Sequence, residues 1–259
     1  MLQVKDRKEL RVKKEIELWE ELGLGPEERI HFRENTRNRY LIFLEQVPRD
    51  SSLQLLDVGA GNGRLSFFLK KWSGGKVYAV DVEVSDRRLF ERGGIELKKC
   101  NVEKERLPFR DETFDYVICS EVLEHLLYSP FHMLWEIHRV LKNEGILLLS
   151  TPNAVRLMVR LKILFGKLMS DYRSFYSTPL HHRHNREWTM DEVRHLLEDC
   201  EFVVEKAFLV NTSSPKTGSF LKRFLSKSLL AVSSLSPSWR ELIFVRARKG
   251  TESRCEEGS

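Results

Sequence analysis

The sequence predicts an α/β fold in which a mostly parallel β-sheet is covered by helices on both faces. Between residues 53 and 151, short apolar runs alternate with amphipathic stretches. The runs are nearly continuous in apolar residues, which is typical of parallel strands buried on both faces. The chain has 259 residues, 41% of them hydrophobic, so it can bury the core of one such domain.

The apolar runs place seven strands along the chain, and amphipathic patterns place helices between most of them. The predicted strands are 53–58, 76–81, 95–100, 114–119, 145–151, 202–210 and 241–249. The predicted helices are 33–47, 63–72, 86–92, 121–142 with a break at Pro130, and 189–200 with Thr189 as the N-cap.

We divide the chain into an N-terminal helical extension (1–34), one domain (35–250) and a flexible tail (251–259). Two segments, at about 154–188 and 211–238, are predicted to be insertions with helical content. The four cysteines form no close pair, which argues against a zinc cluster or disulfide framework and favours a reducing compartment. We find no apolar run of about eighteen residues and no apolar signal-peptide core, so we expect a cytoplasmic protein.

The segment LLDVGAGNG (55–63) predicts a ligand-binding loop between a strand and a helix. A dinucleotide-binding loop would carry a third glycine at position 64, where this chain has Arg64. Asp57, just before the loop, suits a cationic ligand group better than a pyrophosphate. S-adenosylmethionine (SAM) has an ammonium and a sulfonium and no phosphate. Asp81, at the end of the next strand, can accept hydrogen bonds from both ribose hydroxyls, which makes a glycine turn without a ligand the less favoured alternative.

Four segments together resemble the class I SAM-dependent methyltransferases: LLDVGAGNG, VYAVD, LPFRDETFDYVICSEVLEHL and EIHRVLKNEGILLLSTPN. The resemblance covers roughly residues 35–205. Within this family, the sequence is similar to ubiquinone-pathway O-methyltransferases and, more weakly, to small-RNA 2′-O-methyltransferases. The resemblance as a whole has the following consequences for the fold. It implies a Rossmann-like, doubly wound, seven-stranded sheet, mostly parallel, with an antiparallel last strand.

The resemblance also implies which residues contact SAM and its product S-adenosylhomocysteine. Asn101 occupies the position of a family aspartate that binds the adenine amino group, and its side-chain carbonyl can accept the same bond. Val102 would face the adenine ring, and Ser120 would lie under the methionine moiety. The complete cofactor set is Asp57, Gly59, Ala60, Gly61, Asn62, Gly63, Asp81, Val82, Asn101, Val102 and Ser120.

The segment SEVLEHL (120–126) supplies candidates for the chemistry. On the predicted helix, Glu121, Glu124 and His125 stand at i, i+3 and i+4 and share one face. Three interpretations remain open: a capped and packed helix start, a general base at His125, or a metal site.

The metal interpretation comes from the resemblance. Glu-x-x-Glu-His at this place is similar to the magnesium ligands of ubiquinone-pathway and small-RNA enzymes. In the loop HHRHNREWT (181–189), His184 is the better match to the further histidine of that site, and His182 is the second choice. The catalytic candidates are therefore Glu121, His125 and His184. A divalent ion held by these residues with Glu124 is the less favoured alternative, as is a polar surface loop without a role.

Two segments, 154–169 and 206–240, contain no acidic residue and carry several lysines and arginines. They can form a lid with solvated charges, a surface for lipids, or a surface for RNA phosphates. We predict SAM-dependent methyl transfer to a small or lipid-like acceptor at oxygen. Peripheral membrane contact is an alternative location, and nucleic acid is the less favoured partner. The alternatives are an RNA 2′-O-methyltransferase and a non-catalytic SAM-binding regulator; the sequence predicts no oligomeric state.

Overall fold

The computed structural model describes residues 29–30, 32, 36–84, 86–167, 178–179, 182–214 and 219–250. Most of the predicted N-terminal extension and all of the predicted tail lie outside these residues, as does part of the first insertion.

Seven strands form one sheet in the order β3-β2-β1-β4-β5-β7-β6. Pairing is parallel from β3 to β5, and β7 is antiparallel to both β5 and β6. The predicted mostly parallel sheet with an antiparallel last strand is therefore confirmed. The strands are β1 (Gln54–Val58), β2 (Lys76–Asp81), β3 (Glu96–Lys99), β4 (Phe114–Ser120), β5 (Leu141–Pro152), β6 (Phe202–Val210) and β7 (Leu242–Lys249).

Seven α-helices and two 3-10 turns connect the strands within the described part of the chain. The helices are α1 (Arg37–Gln46), α2 (Arg64–Ser73), α3 (Arg88–Gly93), α4 (Phe131–Val140), α5 (Leu157–Leu164), α6 (Met190–Asp199) and α7 (Phe220–Ser234). The 3-10 turns are Leu123–His125 and Pro237–Trp239.

Successive residues of the central strands enter two separate cores, one on each face of the sheet. Leu147 of β5 packs in the core that includes Leu134 of α4 and Leu197 of α6. Its neighbour Leu148 packs on the opposite face with Phe43 of α1 and Phe67 of α2. This alternation explains why the strand sequences are continuously apolar: both faces are buried.

Of the helical pattern predicted over 121–142, the part after the break at Pro130 is confirmed by α4, and the part before it is wrong. Glu121 has a left-handed backbone with φ +57°, and its N–H bonds to the carbonyl of Ser150 at 3.0 Å, so it continues the β4–β5 pairing. One 3-10 turn follows, and the helix proper begins only at Phe131, after Pro130. The chain then enters β5 at Leu141, four residues earlier than expected.

The predicted N-cap at Thr189 is confirmed as a complete capping box. The Glu192 N–H donates to the Thr189 hydroxyl, and the Thr189 N–H donates to the Glu192 carboxylate. This interaction fixes the start of α6, directly after the histidine-containing loop. Among the described residues, no helix has both the length and the apolar content to cross a membrane.

Candidate cofactor and acceptor site

The glycine loop lies between the carboxyl end of β1 and the start of α2 and has a backbone that requires glycine. Gly59, Gly61 and Gly63 have φ values of +70°, +53° and +76°. A side chain at position 59 would collide with Val122, and a Cβ at position 63 would lie 2.7 Å from the Phe90 ring. The open space beside Gly61, where an added Cβ would meet nothing within 4 Å, leaves this part of the loop accessible to a ligand.

Asp81 holds this loop from the end of β2. Its Oδ2 accepts the Gly61 N–H at 2.7 Å, and its Oδ1 accepts the Glu83 N–H at 2.9 Å. Because an ionised carboxylate has about four acceptor positions, two such bonds leave capacity for ribose hydroxyls. Asp81 therefore both organises the loop and offers acceptors beside it.

Asp57 is a buried carboxyl below the glycine loop, with only 2% of its surface exposed. Its pKa is raised to about 7: burial raises it most, a 2.5 Å hydrogen bond from the Ser66 hydroxyl lowers it, and the negative charge of Asp81 adds a smaller increase. A cation bound nearby would favour the ionised form of Asp57. This residue is accordingly suited to the ammonium of an amino-acid ligand.

The other predicted cofactor residues lie along the same carboxyl edge of the sheet. Val82 follows β2 and is 36% exposed. Asn101 follows Cys100, whose N–H bonds to the carbonyl of Asp81, and its side-chain oxygen already accepts the Glu103 N–H at 3.1 Å. At the end of β4, the hydroxyl of Ser120 lies 3.3 Å from that of Ser150. Ala60 and Asn62 belong to the loop itself, and Val102 follows Asn101.

Glu124 is the most unusual group at this edge, because its carboxyl is completely buried. The Thr151 hydroxyl donates to its Oε2 at 2.9 Å. Its Oε1 has no hydrogen-bond partner among the described residues and lies 3.8 Å from Nε2 of His125. Burial, and then the charge of Glu121, raise the pKa of Glu124 well above its usual value. Such a carboxyl is stabilised by a proton or by a cation placed against Oε1.

Two imidazoles lie beside this carboxyl and are fixed by their Nδ1 atoms. Nδ1 of His125 lies 2.9 Å from the carbonyl oxygen of Arg183, so it carries the proton and donates. Nδ1 of His184 lies 3.2 Å from the Glu187 carboxylate. In a neutral imidazole held in this way, the lone pair is on Nε2, which can accept a proton or bind a metal.

The two rings meet edge to face with their centroids 4.9 Å apart. One potential ligand atom each from Glu124, His125 and His184 lies within 4.8 Å of the others. The loop that carries His184 is held in place by Asn185, which donates from its N–H to the Glu124 carbonyl and from its Nδ2 to the His125 carbonyl, both at 2.7 Å. The structure therefore brings together three of the four residues considered for a metal site.

Glu121, the fourth residue, does not join this cluster of possible ligand atoms among the described residues. Its Oε2 lies 3.0 Å from Nη1 of Arg39 in α1, and its Oε1 accepts a 3.2 Å hydrogen bond from the Ser150 hydroxyl. The expectation that Glu121 shares a helix face with Glu124 and His125 is wrong, because no helix forms there. His182 lies 3.3 Å from the Glu83 carboxylate rather than in the cluster.

Several functional contacts involve residues that the sequence analysis missed. Arg39 and Thr151 bind the two glutamates. Glu187 binds both His184 and Arg156, and although burial raises its pKa, these two bonds lower it to about 2. No local motif marks these residues, since each acts on a partner from a distant element.

The comparisons agree with this geometry. A protein-family profile described as a methyltransferase domain matches residues 56–149. A probable S-adenosylmethionine-dependent methyltransferase of Mycobacterium tuberculosis is 29% identical over 171 residues, which cover 64% of this chain and 55% of the relative. These matches support a class I SAM-dependent methyltransferase family for this chain. The cofactor of this family is SAM.

Two further relatives of this chain are named as ubiquinone biosynthesis O-methyltransferases. The mitochondrial protein of Schizosaccharomyces pombe is 34% identical over 135 residues, covering 47% of this chain and 46% of the relative. The Rickettsia prowazekii protein is 26% identical over 160 residues, covering 60% and 61%. The chain spans about half the length of the curated relatives it matches first, at 54–55%.

Solved structures support the fold. A putative methyltransferase from Bacillus halodurans has a TM-score of 0.57 at 22% identity and covers 82% of this chain and 99% of its own. A SAM-dependent methyltransferase from Archaeoglobus fulgidus also has a TM-score of 0.57, at 18% identity, with coverages of 85% and 96%. At these identities the likeness concerns the fold alone.

Proposed function

We propose that the protein transfers the methyl group of SAM to a hydroxyl oxygen of a small or lipid-like acceptor. The observation that carries the proposal is the position of the Glu124–His125–His184 cluster directly beside the predicted cofactor residues. Ser150 of β5 contacts Ser120 on the cofactor side, and the next residue, Thr151, contacts Glu124. The ubiquinone O-methyltransferases among the relatives support oxygen as the accepting atom and a lipid-like acceptor.

On the cofactor side, each group of residues binds a different part of SAM. The glycine loop lets the cofactor approach the protein backbone closely. Asp81 accepts hydrogen bonds from the ribose hydroxyls, and Asp57 balances the positive charge of the ammonium. Asn101 and Val102 bind adenine, and Ser120 lies below the methionine. Arg39 positions Glu121 at the boundary between the two halves of the site.

The chemical step is an in-line displacement at carbon. The acceptor oxygen forms the new O–CH3 bond while the bond from the methyl carbon to the sulfonium breaks, and S-adenosylhomocysteine leaves as a neutral thioether. Nε2 of His125 takes the hydroxyl proton, because its Nδ1 is held as a donor by the Arg183 carbonyl. Holding both reactants in line can lower the barrier by roughly 7–11 kcal/mol. His184 restricts where the acceptor hydroxyl can lie.

A turnover assay tests this proposal. The purified protein is incubated with SAM and a panel of acceptors: prenylated phenols and catechols, amines of matched size, and a short RNA duplex. S-adenosylhomocysteine and the methylated product are measured by mass spectrometry. We expect product from a hydroxylated lipid-like acceptor. Methylation of amines alone would contradict the oxygen assignment. SAM binding without turnover on any acceptor would favour the regulatory alternative.

A divalent ion at Glu124, His125 and His184 is a second candidate for activating the hydroxyl. It is favoured by the buried Glu124 Oε1, which lacks a hydrogen-bond partner among the described residues, and by the mixed N/O donor set. Bound there, an ion would lower the pKa of the acceptor hydroxyl. The RNA 2′-O alternative requires Glu121 as well, and the Arg39 ion pair opposes this. Crystals soaked in manganese test the site. Anomalous density among these side chains would show that a bound ion, rather than His125, activates the acceptor hydroxyl.

A further inference from the structure

We infer that the tips of helices α5 and α7 form a docking surface for an anionic phospholipid bilayer. We call this the basic apolar surface and define it by residues 163–167 and 220–227. The inference deepens the proposed function and rests on it for the class of acceptor, a molecule that resides in the membrane.

The tip of α5 exposes three consecutive large apolar side chains. Ile163, Leu164 and Phe165 are 60%, 76% and 74% exposed. The first turn of the same helix is different, because Leu157 and Val159 are buried in the protein. The helix is thus anchored at its start and projects at its end, where Lys167 follows.

The start of α7 has the same character. Phe220, Phe224 and Leu225 are 85%, 57% and 57% exposed, and the rings of the two phenylalanines stack at 6.4 Å. Farther along the helix, Ser233 is buried. Isolated exposed apolar residues are ordinary on protein surfaces, but six large ones concentrated on two helix tips are characteristic of an interaction site.

The two tips belong to neighbouring helices, since α5 and α7 both contact the 3-10 turn Pro237–Trp239. That turn is attached to the end of β5: Nδ2 of Asn153 donates to the carbonyls of Ser238 and Arg240, at 3.0 and 2.8 Å. Both helices are therefore attached through this turn to the carboxyl edge of the sheet.

A chain of contacts connects α5 to the acceptor cluster. Arg156, at the N-cap of α5, forms a two-bond ion pair with Glu187, and Glu187 contacts His184. The exposed tip lies at the other end of the same helix, so a bilayer held there would be joined through α5 to the loop that carries His184. This arrangement suits an acceptor that is drawn out of a membrane rather than taken from water.

Charge identifies the partner as an anionic surface. Segments 154–169 and 206–240 contain no Asp or Glu. Arg160, Lys162 and Lys167 accompany the first tip, and Arg223 and Lys227 the second. Cationic side chains next to large apolar ones are the composition of interfacial helices, in which the apolar groups enter the acyl boundary and the cations contact lipid head groups. A second copy of this chain would bring these like charges together.

Vesicle sedimentation tests the inference. The full chain is mixed with vesicles of phosphatidylcholine containing about 30% phosphatidylglycerol, or of phosphatidylcholine alone, at 50 mM and 500 mM salt. We expect binding to the anionic vesicles at low salt, with affinity reduced at least about tenfold by high salt or by omission of the anionic lipid.

Two double variants separate the apolar and the charged contributions. Leu164→Ser with Phe224→Ser, and Arg223→Glu with Lys227→Glu, are each expected to weaken binding at least about tenfold. The matched control is Val203→Ser with Lys206→Glu, which changes an exposed apolar residue and an exposed cation of β6. Both lie near the start of β6, where that strand pairs with the end of β7 at the opposite edge of the sheet. We expect the control to bind like the unmodified chain. Circular dichroism and SAM affinity verify that every variant is folded.

Three results would overturn the inference. The first is the absence of vesicle binding at low salt, which would leave the two segments as a lid. The second is a concentration-dependent dimer in light scattering that both surface variants dissociate. The third is salt-sensitive binding of an oligonucleotide without binding of vesicles. In each case, methylation of a short-chain soluble acceptor would still report on the proposed function separately.

Discussion

In the proposed cofactor half of the site, the glycine loop and the carboxylates of Asp57 and Asp81 lie within residues 57–81, and the remaining residues follow the ends of neighbouring strands. In the acceptor half, Glu124, His125, Thr151 and His184 come from three distant parts of the chain. Backbone conformation fixes the first half, through positive-φ glycines and the Asp81 carboxylate. Side-chain hydrogen bonds fix the second, through Thr151 and the Arg183 carbonyl. A short, rigid motif is enough to bind a cofactor, whereas the position of the acceptor-side residues depends on packing between distant elements.

The largest effect is expected for a change in the acceptor half, which should lower the rate of methyl transfer without changing the affinity for SAM. His125→Ala removes the proposed base, and we expect methyl transfer to fall by about 10²–10⁴-fold while SAM affinity stays unchanged. Turnover and calorimetry measure the two quantities. The control is His195→Ala, an exposed histidine on α6, which should retain full activity. Equal loss of rate and SAM affinity in H125A would show that the halves are not separate.

The reverse pattern is expected for Asp81→Ala. Loss of its hydrogen bonds to ribose and to the Gly61 N–H should weaken SAM binding by at least about tenfold. Asp199→Ala, at the exposed C-terminus of α6, should leave SAM affinity unchanged. Unchanged affinity in D81A, measured by calorimetry, would refute the assignment of Asp81.

The affinity for SAM should depend on pH through Asp57. Because the pKa of Asp57 is raised to about 7 by burial, the ionised form that compensates an ammonium is present above pH 7 and is lost below it. SAM affinity should therefore be constant above pH 7 and decrease by up to about tenfold per pH unit below it, until the pKa of the complex is reached. Asp57→Asn should bind more weakly and lose this dependence. A flat profile in the unmodified chain would place the ammonium elsewhere.

The smallest effect tests whether the acceptor loop depends on its helix cap. Thr189→Ala removes the capping box of α6 and should lower the free energy of unfolding by about 1 kcal/mol. The melting temperature should decrease by roughly 2–4 °C. SAM affinity should not change, because the cap contacts only the acceptor half. A decrease in SAM affinity would reveal coupling between the halves.

The same contrast explains what could be predicted from the sequence. The glycine loop and Asp81 are recognisable in the sequence because their spacing along the chain determines their relative position in the fold. The sheet and its antiparallel last strand follow from the apolar runs and the family resemblance. The helix predicted before Pro130 is wrong because the i, i+3, i+4 pattern of Glu121, Glu124 and His125 also fits a left-handed residue followed by a 3-10 turn.

The partners of the acceptor half were not predictable in this way. Arg39 binds Glu121 from α1, and Glu187 connects His184 to Arg156. These contacts depend on how α1 and the loop before α6 pack on the edge of the sheet. A single sequence contains no spacing signal for them.

A crystal structure with S-adenosylhomocysteine tests most directly the claim that a cofactor site and a hydroxyl-activating site lie side by side. We expect density for the ribose on the Asp81 carboxylate, with the sulfur directed toward the His125 and His184 imidazoles. Ribose density away from Asp81, or a sulfur turned away from both imidazoles, would contradict it.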